Sequence, residues 1–166
     1  MLQIPPADQK NMSYQTLAVR GEGMIKSVFL SLTFVAMLLS GATQSLAASI
    51  VANVNVSSQT MTVSKQGRII HVWKVSTARK GYITPRGNYR PQRMHRMWYS
   101  KKYDNSPMPY SVFYHGGYAI HGTGAVSRLG TPASHGCVRL LTANAATFYS
   151  LVKQYGPGNT RIIVSN

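Results

Sequence analysis

From residue 50 onwards, short runs of alternating or β-branched residues are separated by Gly and Pro. Ile50, Ala52, Val54 and Val56 share one face of the run IVANVNV, the pattern of a half-buried strand. Met61–Val63 reads as a second strand, Lys65-Gln66-Gly67-Arg68 as a hairpin turn and Ile69–Ser76 as a third strand. Thr84-Pro85-Arg86-Gly87 places Pro and Gly as a type I turn would. Tyr110–Tyr114 and Tyr118–His121 flank Gly116-Gly117, and Arg161–Val164 is a terminal strand. Helical periodicity stands out once, over about Ala143 to Tyr155. There Thr142 is placed to cap, Phe148, Leu151, Val152 and Tyr155 form a stripe, and Gly156-Pro157 stops the helix. Short strands with a single late helix predict a mainly-β sandwich or barrel.

The chain before residue 48 reads as an address. Residues 28–39 (VFLSLTFVAMLL) form an apolar run of 12, with Lys26 before it and Ser45-Leu46-Ala47-Ala48 after it. That is the layout of a secretory signal peptide over 24–47, cleaved after Ala47 or, failing that, after Ala48. A membrane span needs roughly 18 or more apolar residues. Met24 is a natural start, so residues 1–23 are read as an upstream extension that precedes the start of translation; an uncleaved N-terminal anchor is the rival. Ala42 stands where a lipoprotein signal would carry Cys. The expected exported domain is 48–166, a monomer in the periplasm or cell wall with no stable membrane insertion after cleavage.

The charge balance then limits the chemistry. The 166 residues hold 18 Lys+Arg and 3 Asp+Glu, for a net charge of +15. Only Asp104 of those acids lies beyond residue 47. Carboxylate-pair glycosidase or aspartic-protease chemistry and carboxylate-rich cation sites cannot be assembled. One cysteine, Cys137, excludes an intramolecular disulfide and a multi-cysteine zinc site. Eleven bases fall within residues 65–102, interleaved with Tyr82, Tyr89, Trp98 and Tyr99. They suit either a solvated basic surface or an anionic substrate. Export argues against nucleic acid as the partner.

Chemistry concentrates in Tyr118–Leu140, YAIHGTGAVSRLGTPASHGCVRL. A thiolate nucleophile needs a base or a positive neighbour, and His121 and His135 are both candidates for Cys137. Gly136 permits a tight turn, and successive N–H groups there could bind an oxyanion. The alternatives are a buried unreactive thiol, a zinc site from His115, His121, His135 and Cys137, and a plain Gly-rich turn.

I-H-G-T followed by L-G-x-P-x-S-H-G-C-V-R-L resembles the catalytic signature of the L,D-transpeptidase catalytic domain family (YkuD-like). Val75-Ser76-Thr77, Thr84-Pro85-Arg86-Gly87 and Tyr103–Tyr110 also look like its motifs. The resemblance implies Cys137 as the acylated nucleophile, with His121 as its base and acid, oriented by the Gly122 carbonyl. It implies an oxyanion and substrate surface from Ser134, His135, Gly136 and Arg139. Arg139 would face the peptide carboxylate or brace the loop. No cofactor or metal is expected. The implied substrate is a peptidoglycan tetrapeptide stem. Cys137 would release D-Ala and pass the acyl group to a diaminopimelate amine, forming a 3→3 cross-link. Carbapenem-type inhibitors would acylate the same thiol. Water or a lipoprotein amine as acceptor would give a carboxypeptidase or an anchoring enzyme. A non-catalytic, basic wall-binding module is the alternative from another class.

Overall fold

The computed structural model describes residues 48–166, so the expected extension, signal peptide and cleavage site lie outside the described residues. Alternation builds the first sheet. In β1 (Ile50–Asn55) and β2 (Thr60–Lys65), Ile50, Ala52, Val54, Met61 and Val63 are fully buried. The turn to β3 (Arg68–Lys74) places Gln66 at φ 49° and Gly67 at φ 81°, the paired positive φ of a type I′ hairpin. β1 runs parallel to the terminal β9 (Thr160–Ser165), and the short β4 (Gly87–Tyr89) pairs antiparallel with β9's other edge. The order is β3-β2-β1-β9-β4.

The second sheet has the order β5-β6-β7-β8, from β5 (Arg93–Ser100), β6 (Ser106–His115), β7 (Tyr118–Thr123) and β8 (Val138–Leu141). β5-β6-β7 is an antiparallel meander, whereas β7 and β8 are parallel. The chain from 124 to 137 is therefore a crossover, and it carries the SHGC residues. Helix α1 (Thr142–Tyr155) follows β8 directly. Ala145, Phe148 and Val152 of α1 join the β1, β2 and β9 side chains and Val112, Tyr114, Ile120, Val138 and Leu140 in one core. The protein is thus mainly β, with two sheets and one principal helix.

Three expectations need correction. Thr142 is the first residue of α1 rather than its cap. Its hydroxyl turns back to the Thr123 carbonyl (3.4 Å), and no side chain caps the helix. The third strand ends at Lys74 because Val75–Ala78 leave to bridge Arg139 and Ser134. Thr84–Arg86 form no turn but run irregularly into β4, since the Thr84 hydroxyl bonds to a distant loop. β4, β5 and β8 are additional strands. The helix does end at Gly156 (φ 85°), whose N–H bonds to the Val152 carbonyl.

Candidate active site

The parallel pairing of β7 with β8 places Ile120 beside Val138 and His121 beside Arg139. Side chains alternate across a sheet, so consecutive residues take opposite faces. Ile120, Val138 and Leu140 point into the core. Ala119 and Cys137 pack instead with Met108, Phe113 and Trp98 on the other face. His121, His135, Cys137 and Arg139 all line one cavity of about 520 Å³ on that face.

The SHGC loop is held from behind by Val75–Arg79. Ser76 and Arg139 exchange both backbone hydrogen bonds (3.0 and 2.9 Å). The Ala133 and Ser134 N–H groups donate to the Thr77 carbonyl, Arg79 N–H to that of Ser134, and Gly130 N–H to that of Val75. Gln59 fixes Thr77 in turn, accepting its N–H at 2.9 Å and meeting its hydroxyl at 2.6 Å. Gly136 has φ 127°, and a Cβ there would lie 2.5 Å from Tyr118 and 2.7 Å from the Ile83 carbonyl, so only glycine fits.

Within the loop, Ser134 is fully buried, and its hydroxyl donates to the Cys137 carbonyl (2.7 Å) while accepting the Gly136 N–H (2.9 Å). The Gly136 carbonyl accepts from the Thr84 hydroxyl at 2.9 Å. Neither Ser134 nor Gly136 lines the cavity. The hydrogen bonds of these two go to the loop itself and, for the Gly136 carbonyl, to Thr84; neither is directed at the cavity, where the substrate-facing surface was expected.

His121 is 6% exposed, and its Nδ1 lies 2.7 Å from the Gly122 carbonyl. A carbonyl can only accept, so Nδ1 carries the proton and Nε2 is left as a base. Burial lowers the imidazole to about 4, with the Gly122 hydrogen bond opposing and Arg139 adding to the shift. Burial also pushes the Cys137 thiol up, against the lowering effects of the Ala119 backbone and Arg139. Both shifts favour the uncharged forms, thiol and imidazole. His135 is held differently: Tyr103 stacks flat on it (4.3 Å, 9°) and Tyr82 meets it edge-on. Partial burial and then Arg79, Arg139 and Lys102 lower its pKa. Arg139 lines the cavity and also reaches the Ala133 carbonyl (3.4 Å).

The β5–β6 hairpin supplies cavity residues that sequence reading did not single out for the site. Its tip brings Lys101, Lys102 and Tyr103 over the SHGC loop. The Arg93 guanidinium lies 3.8 Å from the Phe113 ring centroid and donates to the Gly116 carbonyl (3.3 Å). The signals for these residues were the aromatic interleaving of the basic stretch and, for Tyr103, the family-like stretch Tyr103–Tyr110. That stretch divides in the fold: Arg93, Lys101 and Lys102 reach the cavity, while Arg90 bonds to Gly158 and Arg86 to Asn166. Among the described residues, no three His, Cys, Asp or Glu side chains are grouped to hold a metal ion.

A thiol and an oriented neutral imidazole at the foot of a basic, aromatic-walled cavity can support nucleophilic acyl transfer. Residues 49–164 match the L,D-transpeptidase catalytic domain, and the chain belongs to that family of enzymes. Among solved structures, an L,D-transpeptidase from Mycobacterium smegmatis matches with a TM-score of 0.65 at 22% identity, over 72% of this chain and 59% of its own. One from Stackebrandtia nassauensis gives 0.61 at 27% identity, over 70% and 55%. The L,D-transpeptidase LdtMt1, solved in complex with imipenem, gives 0.62 at 22% identity, over 70% and 58%. The chain thus spans under two thirds of the length of each. A comparison with curated protein sequences gave no match.

Proposed function

We propose that the chain is an exported L,D-transpeptidase with a cysteine nucleophile, acting on peptidoglycan tetrapeptide stems. The observation that carries this reading is the His121 Nδ1 bond to Gly122, which leaves Nε2 as a base on the face that holds Cys137. Nε2 takes the thiol proton as Sγ attacks the carbonyl of the L-centre of diaminopimelate. The tetrahedral intermediate collapses, and the proton passes to the departing D-Ala amine, leaving a thioester. A side-chain amine of a second stem then attacks. His121 removes its proton and returns it to the thiolate, and a 3→3 cross-link is released. A raised thiol pKa suits this order, in which deprotonation accompanies attack. Arg93, Lys102 and Arg139 give the cavity the charge to receive stem carboxylates.

The same site is expected to be acylated by carbapenems, in keeping with the imipenem complex of the related LdtMt1. Export through residues 24–47 and a periplasmic, monomeric form belong to this proposal. Among the described residues, no helix is long and apolar enough to cross a membrane. The test is mass spectrometry of products from defined tetrapeptide muropeptides. Cross-linked dimers and free D-Ala are expected, both lost in Cys137→Ala. D-Ala with tripeptide alone would identify water as acceptor. Undiminished D-Ala release by Cys137→Ala would overturn the mechanism.

A further inference from the structure

Thr84 is 1% exposed and lies 52 residues from the SHGC loop in sequence, yet its hydroxyl is bonded on both sides. It accepts the Ala78 N–H at 3.0 Å and donates to the Gly136 carbonyl at 2.9 Å. The Gly136 carbonyl and the Cys137 N–H belong to one peptide unit. The described chain has no cis peptide bond, so these two groups point in opposite directions. Fixing the carbonyl on Thr84 therefore fixes where the Cys137 N–H points. That matters because the unit begins at a glycine with φ 127°, where no Cβ resists rotation. Turned over, the unit would offer a carbonyl oxygen where it now offers a donor. Ser134 meanwhile occupies the Gly136 N–H, which removes that amide from any role towards substrate.

We propose that Thr84 is a positioning residue: by holding the Gly136 carbonyl it aims the Cys137 N–H at the oxyanion of the tetrahedral intermediate. The inference rests on the acyl-transfer reading above and adds to it a residue outside the SHGC loop. It also divides the work of the loop's amides. Gly136 is structural, and Cys137 supplies the donor at the reacting carbon. Ala78 completes the link, because the segment that bridges Ser134 also orients the Thr84 hydroxyl.

The test separates oxyanion-dependent from oxyanion-independent chemistry at the same thiol. Acylation by imipenem passes through a tetrahedral oxyanion, whereas alkylation by iodoacetamide does not. Thr84→Val keeps the shape and removes the hydroxyl. We expect its acylation to slow about 10- to 100-fold, less than the ~10²–10³ typical of deleting an oxyanion donor outright. Its alkylation should stay within about twofold of the parent chain, and Thr84→Ser should restore acylation. Acylation unchanged in Thr84→Val, a parallel fall in both rates, or a Thr84→Ser no better than Thr84→Val would each overturn the proposal. Should Thr84→Val not fold, Thr84→Ala replaces it in the same comparison; failure of both to fold would make Thr84 a folding residue and overturn its positioning role. A parent chain that alkylates but forms no adduct with imipenem or tetrapeptide would overturn the acyl-transfer reading itself, an outcome distinct from the rest.

Discussion

Ile120 and His121 are adjacent in β7 but belong to different regions of the molecule. Ile120, with Val138 and Leu140, faces a dry interior shared with α1 and the first sheet. His121, with Cys137 and Arg139, faces a cavity floored by Phe113 and Met108 and rimmed by cations. One sheet therefore carries stability on one face and chemistry on the other, at a spacing of one residue. The polar face can be sparse and partly unpaired because the apolar face holds the strands in register. The division also explains how a domain with one acid keeps an oriented histidine, since a backbone carbonyl replaces a carboxylate.

The sharpest way to break this division is to truncate one side chain on each face. Cys137→Ala should abolish D-Ala release and leave the urea midpoint close to that of the parent chain. Leu140→Ala, two strand positions beyond Val138, should cost about 2–5 kcal/mol of stability through the cavity it leaves, with the thiol still open to alkylation. Equilibrium urea unfolding and iodoacetamide kinetics on both variants measure this. A Cys137→Ala chain destabilised as much as Leu140→Ala would show that the thiol belongs to the core.

A smaller effect is expected at His121, the proposed base. His121→Gln should lower D-Ala release by about 10²–10⁴-fold, the usual contribution of a general base. The measurement is kcat on tetrapeptide. A change confined to KM would mean that His121 binds substrate and does not move the proton. Gly136→Ala should combine both kinds of damage. Its Cβ meets Tyr118 and the Ile83 carbonyl, so the loop must shift under Cys137, which should lower acylation and stability together.

The two faces are unequally legible in sequence. β1, β9 and α1 show themselves because each buries one side, and burial writes a period of two or of 3.6 into the residues, while β7, buried on both faces, is marked by the Gly116-Gly117 turn before it. β5 (RMHRMWYS) does not, because it is an edge strand paired only with β6, and its Arg93 and Trp98 line a cavity rather than a core. β4 is three residues long and carries too little pattern. Thr142 and Thr84 mislead for one reason: a hydroxyl that suits a local cap or turn is bonded to a distant carbonyl instead. At the site, His121, His135 and Cys137 stand out by residue type within one short stretch. Thr84 and Tyr103 fall in stretches that look like family motifs, but their reach to the site, like that of Arg93, comes through tertiary contacts, which no spacing records.

Acid sensitivity gives the smallest and most specific prediction, because a residue of the chemical face should then affect the stability of the whole. Burial lowers His121 from the ordinary 6.5 to about 4. Between those values the unfolded chain binds a proton that the folded chain does not, so folding weakens as pH falls. The contribution is fully present above pH 6.5 and is lost as pH drops towards 4. It amounts to about 2 kcal/mol by pH 5 and roughly 3 kcal/mol in full. His135 is shifted in the same direction but is partly exposed, so its share is small. Urea unfolding at pH 7 and pH 5 should therefore show a steeper loss for the parent chain than for His121→Gln, which has no proton to take up there. Equal losses in the two chains would mean that the imidazole charges inside the fold without cost, and that the cavity is wetter than its aromatic walls imply.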